Sequence, residues 1–144
     1  MGYTHYMKMD KDLELSDDQK ILLNYVMEDH KDLIDQTDGP DFQTEDHMIF
    51  LNGIGDEAHE TFAVPRKAAE FEFCKTARKP YDIVVCKMLL ILSQSPGFTF
   101  SSDGIYKTDT GKLTYDEEWQ EPVKWITDRG FDGDKIIEDM SNQA

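Results

Sequence analysis

The chemistry-bearing side chains of this chain gather in one short stretch, Arg66, Lys67, Lys75, Arg78 and Lys79, its only basic island. The second half, KTARKP, lies between an expected strand and an expected helix. Unpaired backbone N–H groups and the helix dipole there suit an anion, and flanking Arg and Lys add charge. The following strand ends in Ser101, Ser102, Asp103 and Gly104. If the two strands run parallel, their C-terminal turns share an edge, where ligands bind in open α/β sheets. Lys75, Arg78, Lys79, Ser101 and Ser102 are therefore the candidate residues for a phosphate or small nucleotide. No GxGxxG or Walker sequence accompanies them. The alternative is that these cations pair with surplus carboxylates and bind nothing.

Other constellations are weaker. His59-Glu60-Thr61 is one half of the paired HxT motif of two-histidine phosphoesterases, but no second HxT or HxS exists. Cys74 and Cys86 read as buried free thiols, and a Cys74–His59 nucleophile pair has no evident activator. Two cysteines and four scattered histidines make no metal pattern, so no metal or other cofactor is expected. Asp109–Glu117 echoes half an EF-hand loop without its first carboxylates, and a turn is the better reading. The sequence thus offers no catalytic constellation, and a non-enzyme is expected.

The 144 residues carry 30 acids against 15 bases, a net charge of −15. Residues 1–60 alone hold 16 acids and 4 bases. Such a surface repels nucleic acid and anionic membrane and attracts basic proteins. Ser16 and Gln19 form a capping box opening a helix to about Asp35, whose face carries Glu28, Asp32 and Asp35. These three are the candidate partner face; continued by Asp38, Asp41, Glu45 and Asp46, they also sketch the phosphate row of a DNA mimic.

A single domain spans 1–144: the acidic helix at about 16–35, a sheet with a central helix at about 48–103, and a helical region at about 114–140. Residues 36–46 read as a polar loop. Met48–Ile54 and Glu60–Val64 suggest a hairpin; Glu70–Thr76 and Phe98–Ser102 flank an apolar helix begun at Pro80. The expectation is an α+β fold: a small mixed sheet, with that hairpin and one right-handed βαβ crossover, under packed helices. Thr114 and Glu117 suggest a second capping box, Pro122 lies inside the helix they open, and Gly130 should close it. No apolar run is long enough to span a membrane or make a signal segment, so a soluble cytoplasmic protein is expected. The oligomeric state stays open.

The strings HETFAVPRKAAEFEFCKTARKPYDIVVCKMLLIL, FSSDG and DEEW, covering roughly residues 48–120, carry a family likeness. The chain resembles a group of small, functionally uncharacterised proteins of tailed bacteriophages and prophages, typified by FCKTARKPYD and a later SSDG. The resemblance implies expression in a host cytoplasm and an accessory role. The expected function is a non-catalytic accessory protein binding a basic host protein, inhibiting defence or redirecting host machinery. Sequestration of a small signalling nucleotide and DNA mimicry are the alternatives.

Overall fold

The computed structural model describes residues 3–35 and 47–143. Seven strands and four α-helices are defined among them: β1 (Thr4–Met9), α1 (Asp17–Asp29), β2 (His47–Leu51), β3 (Phe62–Pro65), β4 (Ala69–Lys75), α2 (Asp82–Leu92), β5 (Phe98–Ser102), β6 (Ile105–Lys107), β7 (Leu113–Tyr115), α3 (Glu117–Thr127) and α4 (Gly133–Gln143). The class is α+β, as expected. β2–β3 and β6–β7 are antiparallel hairpins, and the main sheet has the order β4-β1-β5.

The pairing within that sheet departs from the expectation of a mixed sheet with a directly paired parallel unit. β4 and β5 each pair antiparallel to β1, so they run parallel to one another with β1 inserted between them. The sequence THYMKM hid this strand because its inward residue His5 is polar, while Met7 and Met9 continue the same face at period two.

α2 is the centre of the molecule. Nearly every residue of DIVVCKMLLIL is buried, which is why its apolar pattern has no polar face. α1 and α3 pack against it. The capping box at Ser16 forms as expected, and Gln19 goes further: its Nε2 donates to Ile91 O and Ser95 Oγ, both at 2.9 Å. One cap residue therefore also satisfies a carbonyl at the far end of α2.

Three local expectations change. α1 stops at Asp29 with His30 as its C-cap, so Asp32 and Asp35 lie beyond it. The cap of α3 is Asp116, whose carboxylate accepts from Glu118 N, whereas Thr114 belongs to β7. Thr114 is spent on hairpin pairing with Tyr106. Pro122 does sit within α3, and Gly130 follows the helix at φ 97°, a conformation that suits glycine. The polar loop 36–46, with Asp38, Asp41, Glu45 and Asp46, lies outside the described residues.

Candidate functional site

Period-two alternation aims His5 of β1 inward, between Cys74 of β4 and Ser102 of β5. Asp82, the first residue of α2, meets it from the helical layer, where the helix N-terminus favours a carboxylate. His5 Nε2 lies 2.6 Å from Asp82 Oδ1, and His5 Nδ1 lies 2.8 Å from Ser102 Oγ. Thr76 Oγ1 also donates to Asp82 Oδ1 at 2.6 Å, and the Cys86 thiol faces Asp82 Oδ2 at 3.6 Å. His5 is 1% exposed, Asp82 4% and Ser102 6%.

Hydrogen-bond accounting assigns every proton in this Ser–His–Asp array. Gly104 N and Trp119 Nε1, which can only donate, both reach Ser102 Oγ at 3.1 Å. They occupy the two lone pairs of the hydroxyl, so its own proton must go to His5 Nδ1. His5 is then a neutral imidazole with its proton on Nε2, donated to Asp82. Ser102 Oγ thus accepts two hydrogen bonds and donates one.

The same accounting decides the metal question. His5, Asp82 and Cys86 are the one group of potential ligands found close together among the described residues, within 4.8 Å of one another. Ligation through Nε2 would move the His5 proton to Nδ1, giving Ser102 three incoming donors and nowhere to place its own proton. Burial, followed by the Asp82 carboxylate, pushes the Cys86 thiol well above its ordinary range. The residues do not fit a metal in this arrangement. They form a closed structural network.

A second tier surrounds it. Tyr3 Oη donates to Asp116 Oδ1 at 3.0 Å, and the Arg78 guanidinium lies 4.0 Å over the Tyr3 ring. A Cβ on Gly104 would overlap the Tyr3 hydroxyl, so any side chain there must displace that hydroxyl. Phe100 stacks on Trp119 at 5.5 Å. Thr76, Asp82 and Cys86 come from the first resemblance string, Ser102 and Gly104 from SSDG, Asp116 and Trp119 from DEEW. Distant strings thus meet in one cluster. His5, Thr76 and Asp82 were invisible as a set because their spacing follows strand pairing, not local sequence.

The anion-site candidates are not brought together. Arg78 sits at 2.7 Å from Glu118 Oε2 and 3.4 Å from Asp116 Oδ2. Lys79 Nζ reaches Asp56 O at 3.4 Å, and Lys75 lies 5.9 Å from the Phe73 ring centroid. Thr76 N and Ala77 N donate to Tyr3 O, and Lys79 N to Thr76 O, so those turn donors are used internally. Ser102 points into the core, while neighbouring Ser101 takes the opposite face of β5. The physical reason is β1: its N-terminal end fills the slot between the two turns, with Thr4 N donating to Asp103 Oδ2. On the acidic side, Glu28 pairs with Lys31 at 3.1 Å, and Asp32 and Asp35 leave the helix. Glu28, Asp32 and Asp35 therefore form no continuous helical face. Cys74 does not engage the His59 ring: its buried thiol faces Glu60 O at 3.6 Å and is pushed up to about 12 by burial.

The outer face of the same sheet is different in kind. Phe71 is 61% exposed and Phe73 47%, although both sit within a strand. With Tyr6 of β1 they make a contiguous aromatic run, ring centroids 5.9 Å and 5.7 Å apart. A groove of about 460 Å³ crosses this face, floored by Tyr6, Lys8, Thr99 and Ser101, with Phe71 and Glu70 on one side and Met140 of α4 on the other. No protein-family model, curated protein or solved structure matches this chain, so the cluster and the groove are read from their own geometry.

Proposed function

We propose that this protein is a non-catalytic binding protein that engages another protein through the outer face of its β4-β1-β5 sheet. The observation carrying this reading is the contiguous run Tyr6–Phe71–Phe73, with Phe71 and Phe73 exposed within a strand. Exposed clustered aromatics mark interaction surfaces, and aromatic anchors dominate binding energy at them. The inner cluster supports the non-catalytic half: its serine is saturated, its thiol is protonated and its carboxylate has three donors. With the resemblance as setting, the partner is a host factor of a bacteriophage, and its capture inhibits defence or redirects host machinery.

The test is quantitative capture from bacterial lysate by wild type, by Phe71→Ser/Phe73→Ser and by Glu28→Lys. A partner held by wild type and Glu28→Lys, and reduced about tenfold or more by the aromatic double variant, is the expected result. A partner held equally by the double variant sinks the assignment of this face.

A further inference from the structure

The groove on the outer sheet face carries a second level of detail, the chemistry of what occupies it. We infer that it takes an arginine or lysine side chain of a cationic protein segment, laid along Tyr6 and Phe71 with its charged head toward Glu70. This rests on the outer face being a binding surface.

Charge complementarity selects this occupant. Two charged residues line the groove, Lys8 and Glu70. Lys8 is already paired with Asp10 at 3.4 Å, whereas Glu70 has no ion pair among the described residues. Of the two groove charges, the carboxylate is the one without an ion-pair partner among these residues. Tyr6 and Phe71, ring centroids 5.9 Å apart, line the groove with it, and aromatic rings attract cations to their faces. This surface already holds one such contact, Lys75 over Phe73. The long apolar stem of an arginine or lysine suits a trough walled by Phe71 and Met140, with the hydroxyls of Thr99 and Ser101 on its floor. At long range the net charge of −15 draws a basic chain inward and repels a polyanion.

A stacked nucleobase is the rival occupant, since every base has a π-face. Its phosphate, however, would meet the Glu70 carboxylate in the groove, with Lys8, 3.4 Å from Asp10, as the one cation lining it. Lys107 lines the adjoining hollow of about 240 Å³ with Tyr106 and Leu113, rather than the groove itself. The cationic side chain fits the local charges better.

Titration calorimetry tests this with three probes: a peptide alternating arginine and serine, its glutamate–serine counterpart, and a nucleoside monophosphate. The proteins are wild type, Glu70→Gln, Phe71→Ser and Glu28→Gln. Saturable binding of the arginine peptide, weakened about two- to fivefold by either groove variant and unchanged by Glu28→Gln, is expected. Equal weakening by all three variants would reduce the effect to the overall field. Preference for the nucleotide, or for the acidic peptide, overturns the inference. If lysate capture depends on Phe71 while the arginine peptide fails to bind or ignores Glu70→Gln, the surface stands and the cationic occupant falls.

Discussion

The two faces of the β4-β1-β5 sheet each carry an exception to the usual arrangement. Its buried face holds a histidine, a serine and, from the helix above, an aspartate, while its solvent face holds three aromatic rings. The difference lies in satisfaction rather than polarity. Each inward polar atom has a partner of the right sign, so burial costs little, and losing any one partner strands the others. Phe71 and Phe73 on the outer face have no polar atom to satisfy, and their removal should leave the fold almost untouched.

That contrast can be broken most forcefully at Asp82. Asp82→Ala strips the acceptor from three buried donors, His5, Thr76 and Cys86, at once, and should cost about 3–5 kcal/mol in chemical denaturation. A cost below about 1 kcal/mol would mean the cluster is not the tightly coupled unit described. Gly104→Ala comes next, at about 1–3 kcal/mol, because its methyl must displace the Tyr3 hydroxyl from Asp116.

A pH titration adds a contrast from the helical layer. Lys87 of α2, nearly fully buried, donates to His30 Nε2 at 2.9 Å, which requires a neutral His30. Burial, then the Lys87 charge, lowers the His30 pKa below 6.5, with Asp29, Glu121 and Asp32 opposing in part. The unfolded chain therefore takes up this proton first. The contribution is fully present above about pH 6.5 and is lost as pH falls through the lowered folded value. Denaturation midpoints should fall with acid over that interval, and His30→Gln should flatten this component. The smallest effect belongs to the outer face: Phe71→Ser should change stability by less than about 0.5 kcal/mol, a shift that thermal denaturation can bound.

Local rules made much of the fold legible. Ser16 with Gln19 announced α1, Pro80 announced the start of α2, and Phe98 with Phe100 marked an inward strand face. What stayed hidden was non-local. β1 escaped notice because a strand whose inward residues are histidine and two methionines lacks an obvious apolar alternation. Missing β1 then displaced the candidate site, since the slot predicted to receive an anion is the one β1 fills. The direction of Phe71 and Phe73 was equally unreadable: alternation separates the faces of a strand without saying which is buried. The pairing of Arg78 with Glu118, forty residues on, had no local signal at all.

The insertion of β1 also orders events as the chain matures. This segment leads in sequence yet occupies the middle position, waiting for partners at residues 69–75 and 98–102. Until both arrive, its backbone groups have only water to bond. Loop-closure entropy must be met twice before the main ladder is complete, which favours slow, late consolidation over local nucleation. Amide exchange during refolding should accordingly protect α2 early and the Tyr6 and Met7 amides last.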